Sequence, residues 1–347
     1  MIDLIDYGFI PALMTDDMSG MPARVTAVHK ERYEIICRYG RSFGRLKTKI
    51  YYDEGNEKFP TTGDFVLIHY IESGDSLIIK TLERKSFFSR RDPTPGRGEQ
   101  AIASNFDYVF ILASLNHEFS VSRIMRYLTI AKQSGAVPAV ILTKSDLVGD
   151  YCGQIDAVKN ATKDIDIFAV SVKTGFGLDR LNEFLKPRKT IVFLGSSGVG
   201  KSSLLNVLDG KNVMEVKEIR EDDSKGRHTT THRQLIMLPS GVMIIDTPGM
   251  RELGMWEANI GIEETFFDIE ERLGKCKYAD CRHQCEPGCV ILEAISNGDL
   301  TKERWKNYMQ IRLESKCSGM KAGMINKKAA KIKYQKAREA RVIEIED

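Results

Sequence analysis

The first third of the chain alternates hydrophobic and polar positions over short distances. Several such stretches lie between residues 24 and 82, and residues that favour turns, such as Gly40 and Gly63, separate them. Alternation of this kind predicts strands with one buried face. The stretches are residues 24–28, 31–38, 41–48, 64–70 and 76–82. Five short strands predict a small β-barrel, either of the OB type or of an SH3-like type.

Beyond residue 105 the pattern changes to continuous apolar runs. Between these runs, apolar residues recur at helical spacing, as in Leu178, Leu181 and Phe184. Buried strands that alternate with helices predict an α/β sheet covered by helices. The predicted strands are residues 108–115, 137–142, 167–170, 190–194, 235–238 and 242–245.

Two further changes of pattern predict the domain boundaries. A basic, proline-containing connector follows the first pattern, and the strand pattern stops after Gly254, where cysteines and a helical stripe appear. The connector holds Arg84, Lys85, Arg90, Arg91, Pro93, Pro95 and Arg97. We therefore predict a barrel with its connector in residues 1–94, an α/β domain in 95–255, a small α-helical domain in 256–320 and a basic tail in 321–347.

Charge is distributed unevenly along the 347 residues. The net charge is +3, yet residues 321–341 hold eight basic residues and one acidic residue, a net +7 that leaves −4 elsewhere. A basic tail favours binding to a polyanion such as nucleic acid, although many lysine-rich helices are only solvated. No apolar run approaches the ~18 residues needed to cross a bilayer, so we interpret the chain as cytoplasmic, without a membrane partner.

A glycine-rich segment follows the apolar run 190–194 and precedes a helical pattern that starts at Leu204. This is the setting of a Walker A loop, in which backbone N–H groups and a helix N-terminus surround phosphates. Lys201 is predicted to reach the β- and γ-phosphates and Ser202 to bind Mg²⁺. The alternative is a glycine-rich structural turn. The candidate nucleotide-binding residues are Gly195, Ser196, Ser197, Gly198, Val199, Gly200, Lys201, Ser202 and Ser203.

The apolar run 242–245 leads into Asp246, and Gly249 follows three positions later. A carboxylate at the carboxyl end of a buried strand can hold the coordination shell of Mg²⁺. An Asp-x-x-Gly segment is a weak signal alone and a strong one downstream of a Walker A loop. Asp246 and Gly249 therefore join the candidate nucleotide site, with Asp246 as a magnesium residue.

The segment Thr143-Lys144-Ser145-Asp146 comes directly after a predicted strand and resembles the Asn/Thr-Lys-x-Asp motif of GTPases. The resemblance implies that Asp146 accepts hydrogen bonds from guanine N1 and N2 while the Lys144 stem lies over the ring. Adenine lacks those donors. Ser171, Val172 and Lys173 follow another strand and resemble the second base-contacting loop of GTPases. Each segment alone is also compatible with a helix cap.

Four cysteines and a histidine crowd into residues 276–289. The spacing Cys276-x₄-Cys281-x-His283-x₅-Cys289 offers three thiolates and an imidazole, which are donors that tetrahedral Zn²⁺ accepts. Because the protein fills all four positions, we expect one structural zinc per chain, supporting a segment too short to build its own core. Cys285 is an additional cysteine that leaves the fourth ligand open, and a set of buried reduced cysteines is the alternative.

The motifs run in the order base, base, phosphate and switch, whereas ordinary GTPases begin with the phosphate loop. This order predicts a circularly permuted GTPase domain. Together with the barrel, the cysteine cluster, residues 226–231 and residues 246–252, it resembles the ribosome small-subunit-dependent GTPase family, often called RsgA, over about residues 20–315. The resemblance implies a factor that binds the small ribosomal subunit late in its maturation and hydrolyses GTP there.

The charged segment 216–233 has the composition of a switch loop, in which Thr230, or alternatively Thr231, could close on Mg²⁺ and the γ-phosphate. Met250 stands where many GTPases carry the glutamine that orients the attacking water. Hydrolysis is therefore expected to be slow unless another group acts, and His228 is the candidate nearest in sequence, although a histidine in a polar loop is often incidental.

Two other function classes compete with a GTPase switch. A P-loop kinase or ATPase would keep residues 195–202 but has no need of Asp146, and a static RNA-binding protein would need no intact Lys201 or Ser202. The expected partners are GTP and GDP, the small subunit and its rRNA, with Mg²⁺ accompanying GTP, and a monomeric state is expected.

Overall fold

The structure is a computed structural model. It describes residues 1–15, 18–29, 32–47, 59–91, 99–210, 233–246 and 258–318. The predicted switch residues His228, Thr230, Thr231 and Gly249 lie outside these ranges, as does the basic tail. Within the described ranges, no helix combines the length and hydropathy needed to cross a membrane.

The N-terminal strands form a closed barrel, as predicted. Two 3-10 helices, Leu4–Tyr7 and Pro11–Leu13, precede it. Its strands are β1 (Met21–Val28), β2 (Tyr33–Cys37), β3 (Gly40–Leu46), β4 (Phe65–His69) and β5 (Ser76–Thr81). They pair in the order β1-β2-β3-β5-β4, and β4 returns to β1. The pairing of β3 with β5 is parallel, which is the OB arrangement and excludes the SH3-like alternative.

The first half of the basic connector forms a strand that pairs with residues beyond the connector, which the sequence did not predict. Strand β6 (Phe87–Arg91) pairs antiparallel with β7 (Glu99–Ser104). Phe88 is buried and stacks on Phe106 at 4.7 Å between ring centroids. Because basic and proline residues are typical of connectors, the short alternation of buried and exposed positions in this segment was not interpreted as a strand. The hairpin spans the expected boundary at residues 94 and 95, so that division of the chain stays a prediction.

The second part of the chain is an α/β sheet, also as predicted. Its strands are β8 (Tyr108–Ser114), β9 (Val137–Thr143), β10 (Asp166–Ala169), β11 (Thr190–Leu194), β12 (Gln234–Met237) and β13 (Met243–Asp246). They are ordered β10-β9-β8-β11-β13-β12, and only β12 runs antiparallel to its neighbour within this group. The carboxyl ends of the five parallel strands therefore meet at one edge of the sheet.

Helices connect these strands and cover the sheet. They are α1 (Val121–Gln133), α2 (Cys152–Ala161) and α3 (Lys201–Asp209), with 3-10 helices at Ser145–Leu147 and Asp179–Glu183. Ser120 caps α1 by accepting a hydrogen bond from the Arg123 N–H. The predicted helical stripe near residue 181 is a single 3-10 segment, yet Leu181 and Phe184 are buried in the core as expected.

Strand pairing and a buried arginine join the barrel to the α/β sheet. Strand β1 pairs with β12, so the barrel and the α/β sheet form one sheet of 11 strands. At the junction, Arg24 is 1% exposed and donates to the carbonyl oxygens of Tyr7, Gly63 and Asn105. Burial lowers the pKa of Arg24 to about 10, against the opposing effect of Asp107 and Asp64.

The C-terminal part is helical and packs on the α/β sheet's helices. It contains α4 (Asn259–Thr265), α5 (Phe267–Glu270), α6 (Val290–Ser296) and α7, which covers residues 302–318. Helix α4 approaches α1 so closely that a Cβ at Gly261 would lie 2.2 Å from the carbonyl oxygen of Thr129. The Gly261 N–H donates to Gln133 Oε1 at 2.7 Å. One hydrophobic core therefore runs from the sheet into these helices.

Candidate functional site

The glycine-rich loop connects the buried strand β11 to α3 at the carboxyl edge of the sheet. Gly198 and Gly200 have φ angles of 75° and 102°, which other residues rarely adopt. A Cβ at Gly195 would lie 2.8 Å from the carbonyl oxygen of Leu112, so only glycine fits there. Lys201 begins α3, and its ammonium donates 2.7 Å hydrogen bonds to the carbonyl oxygens of Gly195 and Ser196. The lysine thus lies across the loop.

Ser202 and Ser203 follow Lys201 in the first turn of α3, and both are half-buried. The N-terminus of this helix leaves backbone N–H groups without intrahelical acceptors, which favours an anion at that position. The first intrahelical bond runs from the Leu204 N–H to the Gly200 carbonyl at 2.9 Å. The loop, the helix N-terminus and the lysine together can surround a phosphate chain.

The base-motif residue Thr143 contacts this loop directly. It ends β9 and is buried, and its hydroxyl donates a 2.6 Å hydrogen bond to the carbonyl oxygen of Val199. Two strands that are separated by β8 in the sheet thereby have their carboxyl ends tied together. The structure brings the predicted base segment and the predicted phosphate segment into one site.

Asp146 lies in a 3-10 turn that starts directly after Lys144. Lys144 has a φ of 59°, a left-handed conformation that turns the chain sharply at the strand end. The Ser171 hydroxyl donates a 2.6 Å hydrogen bond to Asp146 Oδ1. That hydrogen bond lowers the pKa of Asp146; slight burial opposes the shift, and Lys173 and Lys144 reinforce it. The carboxylate is held ionised and oriented as an acceptor.

The second base-loop segment folds around Ser171. Its hydroxyl accepts a hydrogen bond from the Thr174 N–H at 3.2 Å, while its backbone N–H donates to the Phe176 carbonyl at 3.0 Å. Gly177 closes the loop with a φ of 71°, where a Cβ would lie 2.3 Å from the Ala169 carbonyl oxygen. Val172 is half-buried and Lys173 is exposed. This loop fixes Ser171, and through it the orientation of Asp146.

Asp246 ends β13 at the same edge of the sheet. Strand β13 lies beside β11, with Ile245 opposite Val192, so Asp246 is close to the start of the glycine-rich loop. Carboxylate and hydroxyl oxygens of Asp246 and Ser202 are hard donors of the type that Mg²⁺ accepts. The described part of the site therefore contains oxygen donors on two neighbouring elements.

The predicted metal ligands are brought together in the C-terminal part. The ligand atoms of Cys276, Cys281, His283 and Cys289 all lie within 4.8 Å of one another. His283 Nδ1 is 3.5 Å from the Cys276 sulfur, 3.6 Å from that of Cys281 and 3.3 Å from that of Cys289. Three sulfurs and one nitrogen at this separation fit a tetrahedral ion, so the group can hold a metal. Cys285 is exposed and not part of the group.

A carboxylate organises the loop between these ligands. Glu286 accepts hydrogen bonds from the N–H groups of Arg282 at 3.0 Å, Gln284 at 2.8 Å and Cys285 at 3.1 Å. The first two contribute most to lowering the pKa of Glu286 to about 2. His283 has a φ of 58°, so the chain turns sharply at this ligand.

The cysteine loop packs against α7 through an aromatic contact, and α7 is in turn anchored by a buried ion pair. The His283 ring packs edge to face against Trp305, at 5.5 Å between centroids. Arg304 is 2% exposed, donates to both oxygens of the buried Asp268 and also to the Ala161 carbonyl at the end of α2. Burial alone would raise the pKa of Asp268, but Arg304 and Lys163 outweigh it and hold that pKa below its ordinary value.

Sequence reasoning did not identify Glu286, Asp268 or Arg304 as important. Glu286 stands inside the cysteine segment, where a carboxylate next to a proline is a usable turn signal. Asp268 and Arg304 are 36 residues apart, and both belong to residue types that are mostly exposed. No local pattern distinguishes such a buried pair from surface charges.

Three motifs meet at one edge of the sheet: a Walker A loop, a Thr-Lys-x-Asp turn and a second serine loop. Their permuted chain order on this fold is that of a circularly permuted P-loop GTPase. A family model for the RsgA GTPase matches residues 81–256. The small ribosomal subunit biogenesis GTPase RsgA 1 of Listeria monocytogenes is 44% identical over 294 residues, which cover 84% of this chain and 82% of that protein.

Solved structures agree with this classification. YjeQ from Thermotoga maritima superposes with a TM-score of 0.61 at 25% identity, covering 84% of this chain and 96% of that one. YloQ, a circularly permuted GTPase, has a TM-score of 0.59 at 24% identity, covers 88% of this chain and 98% of its own, and supports the fold alone. The chain belongs to the RsgA GTPase family, and it is a GTP hydrolase.

Proposed function

We propose that this GTPase binds the small ribosomal subunit late in its maturation, hydrolyses GTP there with subunit-stimulated turnover, and leaves after hydrolysis. The nucleotide-binding part of the proposal rests on the hydrogen bond from Thr143 to Val199, which joins the proposed base and phosphate segments into one site. The partner is supported by the name of the 44% identical Listeria relative, a small ribosomal subunit biogenesis GTPase.

Guanine is the base that Asp146 fits. Its ionised carboxylate, oriented by Ser171, can accept hydrogen bonds from guanine N1 and N2, and the stem of Lys144 can cover the ring. Val172 and Lys173 would complete the base pocket. Replacement of Asp146 by asparagine removes one acceptor and adds a donor, which suits the extra carbonyl of xanthine. In competition binding, Asp146→Asn should therefore weaken the binding of GTP and strengthen that of xanthosine triphosphate. An unchanged base preference would refute the guanine assignment.

The phosphates would lie in the loop formed by residues 195–200, with Lys201 neutralising the β- and γ-phosphates. Ser202 and Asp246 would hold Mg²⁺, which bridges phosphate oxygens and neutralises developing charge. Thr230 is the proposed third magnesium residue, with Thr231 as the alternative, and Gly249 is proposed to contact the nucleotide. Both threonines and Gly249 belong to segments outside the described residues.

Slow intrinsic hydrolysis is expected because Met250 cannot orient an attacking water. We propose that His228 supplies this function once the small subunit is bound. The proposal rests on the sequence, in which His228 lies two positions from Thr230. Measured with saturating subunits, His228→Ala should lose stimulated turnover and keep nucleotide affinity; full stimulated turnover would assign the step elsewhere.

The metal in the cysteine cluster is proposed to be one structural zinc ion. Cys276, Cys281, His283 and Cys289 would occupy all four tetrahedral positions, leaving none for a catalytic water. The ion would stabilise residues 274–289, in which the structure describes turns and bends but no helix or strand.

Contacts to rRNA are proposed for the barrel and for the tail in residues 321–347. The OB arrangement of the barrel is a common single-strand-binding scaffold, and the tail carries the +7 stretch. Removal of the tail should weaken binding to the small subunit and flatten its salt dependence. We also propose that the protein acts in the cytoplasm as a monomer.

The experiment that tests the proposal measures binding to purified small subunits by co-sedimentation with GDP, GTP or a non-hydrolysable GTP analogue. We expect tighter binding to the subunit with the analogue than with GDP. Hydrolysis can drive release only if GTP and GDP favour two states of the protein that differ in their affinity for the subunit. Equal binding in both states would contradict release by hydrolysis. ATP serves as the control nucleotide. Subunit binding by an ATPase or kinase would change with ATP, whereas subunit binding by a static RNA-binding protein would change with neither ATP nor GTP.

A further inference from the structure

Strand pairing through β12 connects the barrel to β13, the strand that ends at Asp246. Ala27 of β1 lies opposite Gln234 of β12, and Gln234 lies opposite Asp246 of β13. Neighbouring strands are about 4.8 Å apart, so the barrel backbone is only about 10 Å from Asp246 along this row. Among the described strands, β12 alone lies between the barrel and β13 in this sheet.

A side chain of the barrel fixes the start of the intervening strand. The hydroxyl of Thr62 donates a 3.3 Å hydrogen bond to the carbonyl oxygen of Arg233, the residue directly before β12. Thr62 is fully buried. Because its donor reaches the backbone rather than a side chain, the contact acts on the position of β12 itself.

The loop that carries Thr62 is rigidly supported. Asp64 accepts a 2.7 Å hydrogen bond from the Thr61 N–H and pairs with Arg84 through both of its oxygens, at 2.8 and 2.7 Å. A Cβ at Gly63 would lie 2.1 Å from the Ser104 carbonyl oxygen and 3.0 Å from the Ile245 side chain. The loop is thus pressed against β13 and has little freedom to move away.

Arg24 connects the barrel to the beginning of β13, the end of that strand opposite Asp246. Its guanidinium donates to Met243 Sδ at 3.0 Å and to Thr190 Oγ1 at 3.1 Å. Met243 begins β13 and Thr190 begins β11, the strand that leads to the glycine-rich loop. The barrel therefore contacts the hairpin of β12 and β13 at both ends, with Thr62 at the end nearer the nucleotide site.

We propose that Thr62 is a positioning residue for Asp246: by holding the Arg233 carbonyl it keeps Gln234, and the paired end of β13, in the place where Asp246 can bind the magnesium shell. This inference rests on the proposed role of Asp246. It makes the barrel part of the nucleotide site, so that a ligand which shifts the barrel relative to β12 changes the affinity for Mg²⁺, and Mg²⁺ changes the affinity for that ligand by the same factor.

The test compares three variants of the full-length protein. Thr62→Val removes the hydroxyl at nearly constant volume, and Thr62→Ser keeps it. Thr61→Val is the matched control, because the equally buried Thr61 hydroxyl donates at 3.0 Å to the Ile102 carbonyl in β7, away from β12. Dissociation of a fluorescent GDP is followed across a magnesium titration and in EDTA, and thermal unfolding is recorded for each variant.

Thr62→Val is expected to raise the Mg²⁺ concentration for half-maximal slowing of GDP release by about two- to tenfold, the range for one lost hydrogen bond, with GDP affinity in EDTA unchanged. Thr62→Ser and Thr61→Val should keep the wild-type magnesium dependence, even where Thr61→Val lowers the melting temperature. An equal magnesium dependence in Thr62→Val and Thr61→Val, or a shifted one in Thr62→Ser, would overturn the inference.

Asp246→Asn separates this inference from the proposed function. If Asp246→Asn leaves the magnesium dependence of GDP release unchanged, the role of Asp246 is wrong and the positioning argument falls with it. If Asp246→Asn abolishes that dependence while Thr62→Val does not alter it, only the positioning argument is wrong. Hydrogen exchange in residues 234–246, which should be faster in Thr62→Val than in Thr61→Val, provides a readout independent of nucleotide.

Discussion

The hydroxyl of Thr143 donates a 2.6 Å hydrogen bond to the carbonyl oxygen of Val199, although the two residues are 56 positions apart. One belongs to the turn that we propose reads the base, and the other to the loop that we propose binds phosphate. The contact exists because both β9 and β11 end at the same edge of a parallel sheet. Chain order is therefore irrelevant to this part of the site, and strand order determines it.

Thr143→Val is predicted to weaken the binding of both GTP and GDP by about two- to tenfold. The variant leaves a buried carbonyl without its donor and removes the tie between the base turn and the phosphate loop. Thr143→Ser keeps the hydroxyl and should retain the wild-type affinity. Titration with fluorescent GDP measures the effect. A Thr143→Val protein that binds GDP like the wild type would show that the two segments are positioned independently.

The strands that build the site were predictable, whereas the contacts between distant elements were not. Runs such as 190–194 and 242–245 are apolar on both faces, which only a buried strand requires, and their elements appeared where expected. Strand β6 was missed because Arg90 and Arg91 resemble a solvated linker. Arg24 was counted with an ordinary strand, since its burial depends on acceptors contributed by Gly63, Asn105 and Thr190.

Ser171→Ala is predicted to move the acid limit of guanine nucleotide binding to higher pH. The Ser171 hydroxyl is the main cause of the lowered pKa of Asp146, whose ordinary value is 3.8. The ionised carboxylate is the proposed acceptor for guanine, so affinity should be retained above this pKa and lost as pH falls through it. Without the hydroxyl the pKa rises, and the loss begins at higher pH.

Affinity for fluorescent GDP from about pH 6 down to about pH 3 measures this effect. The wild-type pKa of Asp146 lies below its ordinary value of 3.8, and the pKa of the variant should return toward that value. Ser171→Thr, which retains a hydroxyl, should follow the wild-type profile more closely than Ser171→Ala does. Superimposable profiles for wild type and Ser171→Ala would mean that the hydroxyl does not control ionisation of Asp146 in the nucleotide site.

Cys276→Ala is predicted to abolish metal binding, and Cys285→Ala to leave it intact. Cys276 belongs to the group of ligand atoms within 4.8 Å, whereas Cys285 is exposed outside it. Elemental analysis should find one zinc per chain in the wild type and in Cys285→Ala. His283→Ala should behave like Cys276→Ala, losing ordered structure in the C-terminal part while GDP binding survives. A metal-free protein with an ordered C-terminal part would contradict the zinc assignment.

Arg304→Met is predicted to destabilise the protein by about 3–5 kcal/mol, because it leaves the buried Asp268 carboxylate without its main partner. The matched control is Arg188→Met, which breaks an ion pair with Asp6 whose side chains are 57% and 62% exposed. Exposed pairs contribute below about 1 kcal/mol, so this control should unfold near the wild-type denaturant concentration. Urea unfolding measures both. Similar midpoints for the two variants would show that the buried pair does not hold the C-terminal helices in place.

The most direct test of the central claim is the rate of GTP hydrolysis with and without purified small ribosomal subunits. Large subunits and ATP serve as controls. Hydrolysis by the protein alone should be slow, because Met250 stands where many GTPases carry a glutamine. The rate should increase markedly with small subunits only and with GTP only. A rate that small subunits leave unchanged, or that large subunits or ATP reproduce, would contradict the proposed function.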